Sequence, residues 1–216
     1  MTTRVLLVDD HELMREGLRS ILEKERNLEV VGEASSGRDA VVRARALRPD
    51  VVIMDVAMKD LNGIEATRQI RAEMPEAKVV ALSSYSDHRY VAAILAAGAS
   101  GYVLKANAYD ELRRAVRAAT QGKSYLSAEV AGTVIEAALA VSLPAESAYA
   151  TLSPREREVL QLLAEGHTSS EIGCRLNLST STVETHRRNL MGKLGIHSIA
   201  ELTKYAVREG LTSLEP

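Results

Sequence analysis

Tryptophan and phenylalanine are absent from the 216 residues, and seven tyrosines supply all of the aromatic surface. Proteins that bind single-stranded nucleic acid stack bases on rows of aromatic rings, so that class is disfavoured. A lone cysteine, Cys174, excludes an internal disulfide and a multi-cysteine zinc site. That fits a reducing compartment, and the thiol is expected to be a small buried residue. No stretch approaches the roughly 18 apolar residues of a membrane span. The apolar run in the opening MTTRVLLVDDH is also too short for a signal peptide, so a cytoplasmic protein with no membrane association is expected. Excess charge of one sign is missing too. Lys and Arg number 27 against 29 Asp and Glu, a net −2, which rules out a broadly basic surface.

The residues that are present are those of a globular protein. At 46% hydrophobic and 26% charged, the composition excludes disorder. With about 100 to 200 residues per domain, the length allows one large domain or two small ones. Short runs rich in Val, Ile and Leu begin at Val5, Leu28, Val51, Val79 and Tyr102, spaced 23, 23, 28 and 23 residues apart. Between them lie segments of helical period, such as Leu13, Leu18, Ile21 and Leu22, then Val91, Ile94 and Leu95. Continuous apolar strands alternating with amphipathic helices indicate a parallel sheet covered on both faces. Residues 1–122 are therefore read as an α/β (βα)5 domain with a doubly wound parallel sheet.

Residues 123–151 read as a linker that contains a helix from Ala128 to Val141, followed by the Pro-, Ser- and Ala-rich stretch Ser142 to Thr151. Residues 152–216 contain no strand-like run. Ser153-Pro154-Arg155-Glu156 is a capping box with proline at the first helical position, and Thr168 with Glu171 repeats the box. Val159, Leu160, Leu162 and Leu163 form the buried face of the first helix, which Gly166 ends. Ser179 opens a third helix running to Leu194, and Ser198 opens a fourth running to Glu209. This part is expected to be an all-α, four-helix unit.

In an open α/β sheet, ligands bind beyond the carboxyl ends of the strands, near the point where the strand order reverses. That rule selects Asp9 and Asp10 after the first strand, Asp55 after the third, Ser83 after the fourth and Lys105 after the fifth. Three carboxylates held together resist ionisation unless a cation neutralises them. Oxygen ligands that leave room for water suit Mg²⁺. Lys105 and Ser83 offer a charge and a hydroxyl to an incoming phosphoryl group. His11 is read as a solvent-facing residue at a helix start.

Val8-Asp9-Asp10-His11, Ile53-Met54-Asp55-Val56-Ala57-Met58 with Asn62-Gly63, Ala81-Leu82-Ser83 and Gly101-Tyr102-Val103-Leu104-Lys105 resemble the receiver domain of two-component response regulators, a flavodoxin-like fold. The resemblance implies that Asp55 accepts a phosphoryl group from a sensor histidine kinase. It implies that Asp9, Asp10, Asp55 and the Ala57 carbonyl hold Mg²⁺, that Ser83 and Lys105 bind the phosphoryl oxygens, and that Ser83 and Tyr102 form a switch pair. Two positions depart from the family pattern. Lys59 stands where proline often follows, which loosens the turn after the third strand. Ala106 also stands where proline is common. The family fold implies a cis peptide there, which without proline costs about 2.5 to 4 kcal/mol.

Laid out at about 100° per residue, the helix from Ser179 places Val183, Leu190 and Leu194 on one face. Glu184, Thr185, Arg188 and Asn189 lie opposite. The major groove of DNA admits such a helix and presents base edges to side chains of these kinds. Leu152 to Leu160, Glu171-Ile172, Leu176, Ser179, Thr182-Val183-Glu184-Thr185-His186 and Lys193-Leu194-Gly195 resemble the LuxR-type helix-turn-helix, and the whole chain resembles a NarL/FixJ-type transcriptional regulator.

By that resemblance Glu184, Thr185 and Arg188 face bases of double-stranded promoter DNA, while Thr182, Arg187 and Lys193 approach phosphates. Ile199, Leu202 and Ala206 would form a dimer contact that assembles on activation, although the same face can equally close the four-helix core. RNA polymerase is a candidate further partner. By the same resemblance Ser170 stands where Lys or another polar residue is common in the second helix and would cost a phosphate contact, and Gly173 in place of alanine should weaken its helix by about 1 kcal/mol. The reading is of a regulator and not an enzyme. A DNA reader whose receiver is a constitutive dimerisation module and a Mg²⁺-dependent aspartyl phosphatase are the alternatives, and Ala57, where such phosphatases place a second Asp, argues against the latter.

Overall fold

In a computed structural model that describes residues 2–140, 148–209 and 211–212, the apolar runs become parallel strands joined by covering helices. In chain order these are β1 (Thr3–Val8), α1 (Glu12–Leu22), β2 (Leu28–Ala34), α2 (Gly37–Leu47), β3 (Val51–Asp55), α3 (Gly63–Glu73), β4 (Lys78–Ser83), α4 (His88–Ala96), β5 (Gly101–Leu104), α5 (Ala108–Thr120), β6 (Tyr125–Leu126) and α6 (Ala128–Ala140). The sheet order is β2-β1-β3-β4-β5-β6, so the direction of winding reverses between β1 and β3.

Strand residues alternate between the two faces because the side-chain period is two. Leu6, Val8, Val52 and Met54 pack under Ala40, Val41 and Ala44 of α2 and Ala66 and Ile70 of α3. Their neighbours Val5, Leu7, Val51 and Ile53 pack on the other face against Leu18 and Leu22 of α1 and Leu112, Ala115 and Val116 of α5. Each Val, Leu, Ile or Met side chain removed fully from water contributes about 1.5 to 3 kcal/mol. Leu13, expected in the apolar stripe of α1, is instead 81% exposed.

The sequence places Tyr125 and Leu126 in a linker, but they pair in parallel with Gly101 and Tyr102 and extend the sheet by a sixth strand. In α6, Val130 is fully buried against Tyr90, Val91 and Ile94 of α4 and against Tyr102. The compact units are therefore Met1–Ala140 and Val141–Pro216. Val141, the expected last residue of the α6 helix, and residues 142–147 of the expected linker lie outside the described residues. No peptide bond among the described residues is cis, so the expectation at Ala106 is corrected.

The second unit consists of α7 (Pro154–Ala164), α8 (Ser169–Leu176), α9 (Thr180–Leu194) and α10 (Ile199–Arg208), preceded by a short 3₁₀ turn at Ala148–Thr151. Both capping boxes form, with Ser153 and Glu156 at α7 and Thr168 and Glu171 at α8. Ser179 and Ser198 cap α9 and α10. Val159, Leu160, Leu162 and Leu163 meet Ile172, Leu176, Val183 and Leu190 in one core.

Three expectations for this unit change. Leu202 and Ala206 are fully buried in the same core, which removes them from any dimer surface and leaves Ile199, 37% exposed. Cys174 is exposed, because it points away from the stripe formed by Ile172 and Leu176. Gly173 is needed where it stands: a Cβ there would lie 2.8 Å from the Leu178 carbonyl oxygen, since the turn after α8 folds back closely.

Candidate functional site

The acids converge because β1 and β3 are neighbours and both end at the same rim of the sheet. Asp9 and Asp55 are buried, at 0% and 2% exposure, and Asp10 is half-buried. Closing the loop after β3 depends on Gly63, where any Cβ would fall 2.0 Å from the Asp55 carbonyl oxygen. Gly63 N–H donates to the Val56 carbonyl at 3.0 Å, and the Asn62 side chain caps α3 through the Glu65 N–H. The loop thus turns back over Asp55, and the Ala57 N–H donates to Asp55 Oδ1 at 3.3 Å.

Lys105 enters from the end of β5, with Nζ 2.8 Å from Asp9 Oδ2 and 2.9 Å from Asp55 Oδ2. Burial, and then the charge of Asp9, push the Asp55 carboxyl up to about 6, with Lys105 and the Ala57 N–H opposing them. Burial works against the Lys105 ammonium, but Asp55 and Asp9 outweigh it and raise its pKa. His11 is the solvent-facing residue expected: its ring is 72% exposed, with Nδ1 2.8 Å from Asp10 Oδ1.

Ligand atoms of Asp9, Asp10, His11 and Asp55 all lie within 4.8 Å of one another. Asp9 Oδ2 and Asp10 Oδ1 are shut from solvent without a hydrogen bond of good geometry and are held only by the ion pairs to Lys105 and His11. Three clustered carboxylates with under-satisfied oxygens are a donor set that fits a hard divalent cation such as Mg²⁺.

Ser83 and Tyr102 are joined through one residue. Ser83 Oγ accepts from the Tyr85 N–H at 3.1 Å, and Tyr102 Oη donates to the Tyr85 carbonyl at 2.6 Å. Tyr102 has no exposed surface, and burial above all pushes its phenol up to about 12. Sequence reasoning missed Arg15, whose guanidinium donates to the Asp9 carbonyl at 2.8 Å and to Glu33. The available signal was its place one turn after His11, since helical side chains lean back toward the N-terminus.

In the second unit, α9 buries Val183 and Leu190, while Thr185, Arg188 and Asn189 are exposed. Leu194 is only partly buried. Arg188 has no hydrogen-bond or ion-pair partner among the described residues, whereas the other expected contact residues are partly occupied. Glu184 accepts from the Ser169 hydroxyl and lies 3.7 Å from Arg187. Thr185 Oγ1 donates to the Ser181 carbonyl, and Thr182 Oγ1 lies 2.7 Å from Ser179 Oγ. Lys193 Nζ donates to the buried Glu156 carboxylate at 2.7 Å and to the Thr151 carbonyl at 3.3 Å. Ser170 is exposed.

Comparison with known proteins agrees with both halves. Residues 5–117 match the response regulator receiver domain, and residues 150–206 match the bacterial regulatory proteins of the luxR family. The chain is 41% identical to the transcriptional regulatory protein LiaR of Bacillus subtilis, over 97% of this chain and 99% of that protein. It is 40% identical to the response regulator UvrY of Escherichia coli K12, over 98% and 96%. Among solved structures it resembles RcsB of Salmonella enterica serovar Typhimurium bound to promoter P1flhDC in the presence of phosphomimetic BeF3-. That match has a TM-score of 0.62 and 27% identity, and covers 98% of this chain and all of the other. With the acid pocket at the rim of a six-stranded parallel sheet and a four-helix unit later in the chain, the chain belongs to the response regulators that join a receiver domain to a LuxR-type DNA-binding domain.

Proposed function

We propose that this response regulator binds promoter DNA under the control of phosphoryl transfer from a sensor histidine kinase to Asp55. The observation that carries the reading is a buried Asp55 carboxylate bridged to Asp9 by the Lys105 ammonium, at the point where the strand order reverses. An Asp55 oxygen attacks the phosphorus of the kinase phosphohistidine. The P–N bond breaks, its electron pair stays on the imidazole nitrogen, which takes up a proton, and Asp55 becomes an acyl phosphate. With a pKa of about 6 the carboxylate is mostly ionised at neutral pH and can act as nucleophile. Lys105 turns from the carboxylates to the incoming phosphoryl oxygens, and the Ser83 hydroxyl donates to another of them. Asp9, Asp10, Asp55 and the Ala57 carbonyl would hold Mg²⁺, which when bound offsets the charge that builds on the transferring group.

The backbone of Tyr85, whose N–H serves Ser83 and whose carbonyl serves Tyr102, supplies the coupling between modification and partner binding. When Ser83 moves toward the phosphate, it releases the Tyr85 N–H, while the Tyr85 carbonyl remains tied to Tyr102. A population shift of this pair favours a homodimer, and joining two half-sites raises affinity through effective concentration. On DNA, Arg188 and Thr185 face base edges, and Glu184 joins them on leaving Ser169. Thr182, Arg187 and Lys193 stand toward phosphates, and Ile199 remains as a dimer contact.

The protein acts in the cytoplasm, as a kinase substrate and not as an enzyme, and RNA polymerase is a further partner at the promoter. The LiaR and UvrY likeness and the DNA-bound RcsB structure support this reading. Selection of bound duplexes from a random pool, with and without acetyl phosphate and Mg²⁺, tests it. Enrichment of a two-fold symmetric site that depends on phosphodonor is expected, and equal enrichment in both arms contradicts phospho-control.

A further inference from the structure

Lys105 follows directly on β5, so its placement depends on how the end of that strand is held. On one side Leu104 lies beside Ser83 of β4. On the other side β6 begins a regular parallel ladder: the Tyr125 N–H donates to the Ser100 carbonyl at 3.2 Å, and the Ser127 N–H donates to the Tyr102 carbonyl at 3.0 Å. The next rung of such a ladder would carry the Leu104 N–H to the Ser127 carbonyl. That carbonyl has already turned into the first turn of α6, where it accepts from Val130 and Ala131 at 2.9 Å each. The serine hydroxyl fills the vacated place. Ser127 Oγ accepts from the Leu104 N–H at 3.2 Å and donates its own proton to the Glu111 carboxylate on α5. Ser127 is fully buried, so without its hydroxyl the Leu104 N–H would lose this acceptor in a site closed to water.

We infer that Ser127, backed by Glu111, is a positioning residue for phosphoryl transfer, holding the end of β5 so that the Lys105 ammonium meets the oxygens of the group arriving on Asp55. The inference rests on the reading of Asp55 as phosphoacceptor. It also makes the residue that opens α6 part of the support of the pocket, although the sequence alone assigns that residue to a linker. The Ser127 backbone bonds to Tyr102, Val130 and Ala131 do not use the side chain, so removing the hydroxyl leaves the strand and helix pairing intact.

The test uses the full chain with acetyl phosphate and Mg²⁺, measuring initial rates of Asp55 modification across donor concentrations for wild type, Ser127→Ala, Ser127→Thr, Glu111→Ala and Leu126→Ala. A small misplacement of a positioning group costs up to about a hundredfold in rate. For the loss of one supporting hydrogen bond, a fall of about tenfold in the maximal rate is expected for Ser127→Ala, with the half-saturating donor concentration unchanged. Ser127→Thr, which keeps the hydroxyl, should restore the rate, and Glu111→Ala should lower it in the same direction. Leu126→Ala loosens the same sheet edge without touching the hydroxyl and should react like wild type.

A wild-type rate for Ser127→Ala would overturn the inference while leaving Asp55 as the acceptor. An equal fall in Leu126→Ala would also overturn it, since edge packing would then account for the effect. Wild type that takes up no phosphate would overturn the reading of Asp55 itself, and this inference with it.

Discussion

Replacing the central carboxylate by its amide should make the protein more stable at neutral pH when no divalent cation is bound. Burial, and then the neighbouring Asp9, raise the Asp55 pKa from 3.8 to about 6. Between those two values the folded protein binds more protons at this site than the unfolded chain does. Stability therefore falls as pH rises through that window, and the whole loss is present above it. At about 1.4 kcal/mol per pH unit, the loss approaches roughly 3 kcal/mol. Asp55→Asn removes this cost while preserving shape. Lys105 is not stranded, because it keeps Asp9 at 2.8 Å. The weakened Lys105 pairing subtracts from the gain, and a net stabilisation of about 1 to 3 kcal/mol is expected. Urea unfolding of both full-length proteins, in chelator, from about pH 4 to pH 8 measures it. The midpoint of the variant should exceed that of wild type at neutral pH, and the two should converge at the acid end. A variant of equal or lower stability at neutral pH, or a gap that does not change with pH, would refute the reasoning.

Four further outcomes follow from the geometry. Gly173→Ala gains about 1 kcal/mol of helix propensity but pushes a Cβ to 2.8 Å from the Leu178 carbonyl. A net loss of about 1 to 2 kcal/mol is expected, and a raised thermal midpoint would contradict the close turn. Lys193→Ala deprives a Glu156 side chain that is 5% exposed of its cation, so stability should drop by about 1 kcal/mol. Arg188→Ala should instead leave the melting curve unchanged and weaken binding to the selected duplex by about 1 to 3 kcal/mol, measured by fluorescence anisotropy. Mg²⁺ should raise the thermal midpoint of wild type, by the equivalent of about 2.7 kcal/mol at a hundredfold excess over its dissociation constant. Asp10→Asn should lose most of that shift, and identical melts with Mg²⁺ and with chelator would contradict a metal at the acid cluster.

The receiver pocket was legible in the sequence because strand ends are. Once Val5 to Val8 and Val51 to Met54 are recognised as fully buried parallel strands, Asp9 and Asp55 must emerge at one rim, and Lys105 follows from the fifth run. The sixth strand was not legible, because two residues, Tyr125 and Leu126, carry no periodicity. The turn of Ser127 toward Leu104 depends on where that short strand stops. Leu202 and Ala206 have the spacing that either a dimer seam or a self-closing helix requires, and only the packing of α7 to α10 decides for the core. Gly173 reads as a weak helix former until the return of Leu178 is seen. Cys174 sits two residues from each of two buried positions, Ile172 and Leu176, an offset that turns it outward on a helix.

The central claim is tested most directly by intact-protein mass spectrometry after incubation with acetyl phosphate and Mg²⁺. Wild type should gain the mass of one phosphoryl group, mapped to Asp55, and Asp55→Asn should gain none. An unmodified wild type, or equal modification of both proteins, would contradict it.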